Sequence, residues 1–214
     1  MSADSSAAAS NRNTVQQVPP APGLDLRDFP WVPAPTEKIY RAHDSNWGVG
    51  WFAHAGNGRF DLTTPLGTMY FGDTLRTAVR ESLGNRAYNK TISHEAALHV
   101  RVVTTRMPST GRFALVSDER AEDFGIIREL VTMPEYEVPQ QWAAAFRVAG
   151  FAGIRYQSRF TAGQTVNAWA LFGEAGETNI VNELAVTEGL DACRKANISF
   201  LPPIPSSTRV TTIA

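Results

Sequence analysis

Cysteine is almost missing from this chain. Its 214 residues include one, Cys193, so neither an intrachain disulfide nor a cysteine-rich zinc site can be built. Long hydrophobic runs are missing too: no apolar stretch approaches the ~18 residues of a membrane span. Met1–Ser10 has no basic start leading into an apolar segment, so no secretion signal is expected. Charge of one sign is also lacking. The net charge is −1 and the pI about 6.4, without the basic excess of a general nucleic-acid binder. The four histidines, His43, His54, His94 and His99, form no His-Glu-x-x-His pair and no other spacing that suggests a metal. There is no phosphate loop of the Gly-x-x-x-x-Gly-Lys-Ser/Thr kind and no Gly-x-Gly-x-x-Gly after a strand. There is no Gly-x-Ser-x-Gly elbow either. These absences point to a soluble, cytoplasmic protein with no metal, no direct nucleic-acid partner and no membrane contact.

Apolar residues make up 43% of the chain, near the globular average of about 45–50%. They are unevenly placed. Met1–Pro22 is Ser, Ala, Asn, Gln and Pro with almost no large apolar residue, and is expected to be disordered. Leu24, Leu26, Phe29 and Trp31 could strap onto a core, but Pro30, Pro33 and Pro35 argue against regular structure there. The three prolines and Ser/Thr run of Leu201–Ala214 read as a loose tail. The expected division is an arm over residues 1–36, a folded domain over 37–200 and a tail over 201–214.

Within the domain, Lys38–Ala42 and Thr68–Phe71 read as strands. Asp73 or Thr74 can cap a helix that runs to Leu83 and stops at Gly84. Its apolar stripe, Leu75, Ala78, Val79, Ser82 and Leu83, has the helical period. His99–Thr105 and Arg112–Val116 are rich in strand formers. Pro139–Ala149 is a helix with Trp142, Ala145, Phe146 and Ala149 on one side. Gly153–Gln157 and Val166–Phe172 read as strands joined by a turn at Ala162–Gly163. Strand and helix do not alternate regularly, which favours α+β over a doubly wound sheet.

Residues Lys38–Arg112 carry a net +5, and those from Phe113 onward −4. A basic half in a neutral chain suits a small anionic ligand, although scattered surface charge would give the same count. Arg41 sits in a strand, and Arg59 on the turn Gly56-Asn57-Gly58, where glycine lets the backbone approach a ligand. A guanidinium there suits phosphate, to which it donates paired hydrogen bonds; a surface ion pair is the ordinary alternative. Glu81 lies on the flank of its helix's apolar stripe. Its neighbours three and four positions away, Ala78, Gly84, Thr77 and Asn85, include no base. It is therefore either solvated or directed to a partner elsewhere in the fold. Tyr70 and Tyr156 sit in strands, and Ser158 faces the same side as Tyr156. By themselves both tyrosines could be core residues with hydroxyls at the rim.

Taken in order, these segments resemble the RES domain, a family named for its arginine, glutamate and serine. The first half of the likeness is Ile39-Tyr40-Arg41-Ala42-His43, Gly58-Arg59-Phe60-Asp61, Gly67-Thr68-Met69-Tyr70, then Ala78 and Glu81. The second half is Trp142-Ala143, Gly150-Phe151-Ala152-Gly153-Ile154-Arg155-Tyr156-Gln157-Ser158-Arg159 and Leu171-Phe172-Gly173. The likeness spans about Leu24 to Gly176. It departs from the family at Trp51-Phe52-Ala53-His54-Ala55 and at Ala152, where an aspartate is common.

The resemblance implies a fold like that of ADP-ribosyltransferases and a toxin that degrades NAD+. NAD+ would be a substrate and not a cofactor, with phosphate or water as the acceptor. It also implies a separate helix-turn-helix antitoxin as partner. On this reading Arg41, Glu81 and Ser158 are the catalytic residues, and Arg59, Tyr70 and Tyr156 bind substrate. Cleaving the nicotinamide–ribose bond builds positive charge on the ribose, as in glycoside cleavage. Glu81 would stabilise that charge, and Arg41 and Arg59 would hold the pyrophosphate or an acceptor phosphate. Tyr70 would stack on the nicotinamide ring, and Ser158 would bond the carboxamide or a phosphate. A protein ADP-ribosyltransferase, or a binding protein without catalysis, would use the same pocket.

Overall fold

The computed structural model describes residues 16–84, 91–163 and 166–201. The strands are β1 (Trp31–Pro33), β2 (Ile39–Asp44), β3 (Trp51–Phe52), β4 (Leu66–Gly72), β5 (Thr91–Ile92) and β6 (Val100–Thr105). They continue as β7 (Arg112–Leu115), β8 (Gly153–Gln157), β9 (Asn167–Glu174), β10 (Gly176–Glu177), β11 (Ala185–Glu188) and β12 (Ser199–Phe200). The helices are α1 (Leu75–Leu83), α2 (His94–Leu98), α3 (Glu129–Thr132), α4 (Glu137–Val148) and α5 (Gly189–Lys195), with a 3-10 helix over Glu119–Phe124. Eight strands form one sheet in the order β1-β7-β8-β9-β4-β2-β6-β11. Within this sheet, among the described residues, only β7 and β8 pair in parallel, and β5 and β12 form a separate parallel pair. Helices and strands do not alternate regularly, and the mixed domain has the α+β character that the sequence suggests. Among the described residues, no helix is long and apolar enough to cross a membrane.

The elements follow from their residues. Along β2 the side chains of Ile39, Arg41 and His43 are buried and those between them less so, the two-residue period of a strand. Helix α1 starts at Thr74, whose Oγ1 accepts from the Thr77 amide at 3.1 Å. Of the two candidate caps, Thr74 is the one used. Asp73 instead accepts from Trp169 Nε1 at 2.5 Å and from Asn167 Nδ2 at 2.9 Å, which pins the start of α1 to β9. Helix α1 buries Thr77, Ala78, Val79 and Leu83 and packs across β2 and β4. Helix α4 buries Trp142, Ala143 and Phe146 on the other part of the sheet. There Phe29, Phe146 and Phe151 meet edge to face, the arrangement aromatic rings prefer.

Two expectations need correction. The prolines at 30, 33 and 35 do not prevent regular structure, because Trp31–Pro33 pairs antiparallel with β7. The strand lies at the sheet edge, where a residue without an N–H is tolerated. Nor is Met1–Pro22 disordered throughout. Gln17 is buried: its backbone N–H donates to Glu129 Oε2 at 2.6 Å, its Nε2 donates to the Gly125 carbonyl at 3.0 Å, and its Oε1 accepts from the Ile127 amide at 2.8 Å. Val18 O accepts from Trp142 Nε1 at 2.9 Å. Polar bonds hold this segment, so hydrophobic content does not reveal it. Residues 1–15, and the tail beyond Leu201, lie outside the described residues. Smaller differences follow from short-range context. His99 closes helix α2, and the strand starts at Val100.

Candidate active site

The site opens where two strands part. β2 pairs with β6 over six residue pairs and β4 with β9 over seven, but β2 meets β4 only at Tyr40 and Gly72. Arg41 lies beside this parting. Its Nε donates to the Val49 carbonyl, its Nη1 to Tyr70 O at 3.2 Å and its Nη2 to Trp51 O at 3.1 Å. The guanidinium thus bonds three main-chain acceptors at once. Among the described residues it has no carboxylate within ion-pair distance. Burial without a counter-charge pulls its pKa down to about 10, so it remains a cation at neutral pH.

Arg59 follows the Gly56-Asn57-Gly58 turn. Asp61 holds that turn: its Oδ2 accepts from the Gly58 amide at 2.9 Å and its Oδ1 from the Tyr70 hydroxyl at 2.8 Å. The Tyr70 oxygen in turn accepts from the Phe60 amide at 2.9 Å. Gln140 Nε2 donates to the carbonyls of Gly56 and Gly58, each at 2.9 Å. A Cβ at position 58 would stand 2.3 Å from Asp61 Oδ1 and 2.6 Å from the Tyr70 hydroxyl, so any other residue would push the Asp61–Tyr70 clamp aside. Arg59 lies over the Tyr136 ring at 4.8 Å and donates from Nη1 to Leu130 O at 3.2 Å. Its Nη2 is buried with no protein partner. Burial lowers its pKa as well.

Glu81 projects from α1 toward the end of β8. Its Oε2 accepts from the Tyr156 hydroxyl at 2.9 Å and its Oε1 from Ser158 Oγ at 2.5 Å. Both donors lie far along the chain from Glu81, and they are the distant partners that its helix lacks nearby. Burial raises the Glu81 pKa, while the two hydroxyls and the charges of Arg59 and Arg159 oppose the rise. Glu81 keeps contact with solvent through the cleft. The Tyr156 ring packs edge-on against Phe60 at 5.0 Å. Burial and the neighbouring Glu81 push its phenol well above the usual range, so it serves Glu81 as a donor.

These groups share a cavity of about 600 Å³. Arg41, Arg59, Tyr70, Glu81 and Tyr156 line it, and Ser158 stands behind the Glu81 carboxylate. All six residues singled out in the sequence therefore gather around one cleft. The structure adds Tyr136, Gln140, Trp51 and His54. Tyr136 and Gln140 hold Arg59 and its turn from the start of α4, and no sequence spacing links them to it. Asp61 was visible inside Gly58-Arg59-Phe60-Asp61, but its work as the turn's clamp was not. Among the described residues, no group of three or more His, Cys, Asp or Glu is placed to hold a metal. Chemically, the cleft offers a carboxylate, Glu81, with fixed orientation, and two buried guanidinium groups, Arg41 and Arg59, that form no ion pair among the described residues. It suits a ligand that is anionic in one part and develops positive charge in another.

A family model described as the RES domain matches residues 38–188. No curated protein matches the chain. Among solved structures, a chain in the crystal structure of the M. tuberculosis MbcT–MbcA toxin–antitoxin complex shares the fold. Its TM-score is 0.63 at 12% identity, over 81% of this chain and 94% of that one. The matched segment runs through well over half of the sequence and contains Arg41, Arg59, Tyr70, Glu81, Tyr156 and Ser158, and this chain belongs to the RES domain family.

Proposed function

We propose that this protein cleaves the nicotinamide–ribose bond of NAD+, passing the ADP-ribosyl group to phosphate or water, and that it is the toxin of a toxin–antitoxin pair. The observation that carries the first part is the Glu81 carboxylate, held by Tyr156 and Ser158 in a cleft with two buried arginines. Nicotinamide departs as a neutral base, so its loss needs no general acid. As the bond stretches, positive charge grows on the ribose, and Glu81 faces it. A preorganised charge of this kind is often the largest catalytic contribution. Tyr156 and Ser158 direct the carboxylate and spend its remaining lone pairs on fixed donors. Arg41 and the unpartnered Nη2 of Arg59 receive the pyrophosphate or the acceptor phosphate. Tyr70, fixed through its hydroxyl, offers its ring to the nicotinamide.

Likeness in fold to a chain of a toxin–antitoxin complex, together with the RES family, supports the second part. The expected partner is a separate helix-turn-helix antitoxin.

The test is to incubate the purified protein with NAD+, with and without phosphate, and identify the products. Phosphorolysis yields nicotinamide and ADP-ribose 1″-phosphate; hydrolysis yields nicotinamide, ADP-ribose and a proton. Unchanged NAD+ under both conditions, from a protein that binds ADP-ribose, would reject catalysis in favour of simple binding. Growth arrest on expression, relieved by a co-expressed antitoxin, is expected of the toxin.

A further inference from the structure

An aromatic row lies at the cleft and takes no part in the chemistry described. The rings of Trp47 and Trp51 stand 5.9 Å apart at 40°, and those of Trp51 and His54 stand 6.0 Å apart at 33°. Trp51 and His54 line the cavity, and Trp47 is 61% exposed. Burying a tryptophan is favourable, so an exposed one beside a cleft marks a surface that a ligand can cover.

The row is built into the site. Successive residues of a strand face opposite ways, and Phe52 is buried against the sheet. This leaves Trp51 turned toward the cleft. The Trp51 carbonyl accepts from Arg41 Nη2, so the ring is tied through its own backbone to the Arg41 guanidinium. Position along the cleft follows from the hydrogen bonds. Glu81 is bonded to Tyr156 and Ser158 at the end of β8, whereas Arg41 is bonded to the carbonyls of Val49, Trp51 and Tyr70. Arg41 and Trp51 therefore share one set of contacts and the reacting carboxylate another. The His54 ring is held in place by Nδ1, 3.2 Å from Phe52 O.

We infer that Trp51, with His54 and Trp47 on its flanks, is the stacking surface for the purine of the substrate's non-reacting half, with the pyrophosphate on Arg41 between the two halves. This rests on the NAD+ reading and makes Trp51 a residue for substrate choice. Base–aromatic stacking contributes about a 5- to 150-fold gain in affinity per base.

The experiment compares kcat/KM for NAD+ and for nicotinamide mononucleotide, which has the scissile bond but no purine. The parent enzyme is expected to favour NAD+. Trp51→Ala should lower that preference at least tenfold, chiefly through KM for NAD+, and Trp51→Phe should largely restore it. An equal loss on both substrates, or an unchanged preference, would overturn the proposal. Should the parent cleave neither substrate, the NAD+ reading fails separately, and titration with ADP-ribose and ribose 5-phosphate decides the matter. Selective binding of ADP-ribose that Trp51→Ala weakens tenfold would uphold the stacking site. Equal affinity for the two ligands would refute it.

Discussion

Two tyrosine–carboxylate pairs stand in this cleft, and they do different work. Tyr70 donates to Asp61 at 2.8 Å and Tyr156 to Glu81 at 2.9 Å. Asp61 is buried, and its second oxygen is occupied by the Gly58 amide. The pair is a clamp on the loop that carries Arg59. Glu81 faces the cavity, and its second donor is another side chain, Ser158. The same chemical pair is closed in one place and aimed in the other. What separates them is whether a main-chain amide or a second side-chain hydroxyl completes the carboxylate, and how deeply the carboxylate is buried.

The comparison is broken most sharply at Glu81. Glu81→Gln keeps the shape and removes the charge, and nicotinamide release from NAD+ should fall about 10²–10³-fold. The variant should not be less stable. Burial raises the pKa of Glu81, so the native state holds the proton to higher pH than the unfolded chain. Stability contributed by that proton is present below the ordinary carboxylate value of 4.5 and is lost as pH rises through the folded value. Glu81→Gln lacks this loss, and thermal melts at neutral pH should place it at or above the parent.

The arginines give the next contrast. Arg41→Met removes three hydrogen bonds to carbonyls and should cost on the order of 3 kcal/mol, whereas Arg59→Met removes one, at about 1 kcal/mol. Urea unfolding would measure the difference, and equal losses would contradict it. Both variants should raise KM for NAD+. Tyr156→Phe should lower kcat about tenfold with little change in KM, because the ring stays against Phe60 and one donor to Glu81 is lost. Removing that donor should also move the acidic limb of the kcat profile to higher pH. Smallest in its effect on chemistry, Asp61→Asn should raise KM several-fold, leave kcat near the parent value and destabilise by about 1–2 kcal/mol. A large fall in kcat with unchanged KM would show that Asp61 acts on the reaction itself.

Much of this was legible in the sequence, for uneven reasons. The helix of Glu81 and the strands of Tyr70 and Tyr156 show in periodicity, capping and glycine stops, which are local. That Glu81 had no basic neighbour on its own helix pointed beyond the helix. Nothing local pointed to Tyr156 and Ser158 as its partners, and there the family resemblance supplied the association. The docking of Gln17 was hidden because hydrogen bonds hold it, and composition reports only hydrophobic burial. β1 was hidden because proline is disfavoured in strands on average, and the exception at a sheet edge depends on tertiary position. Tyr136 beneath Arg59 was out of reach, because the two meet only when α4 packs beside the Gly56–Gly58 turn.

The most direct measurement is nicotinamide release from NAD+ by the parent and by Glu81→Gln, with ADP-ribose binding measured on both. The account predicts release by the parent, a loss of about 10²–10³-fold in the variant and ADP-ribose binding retained by both. Release by a folded Glu81→Gln at the parent rate would contradict it.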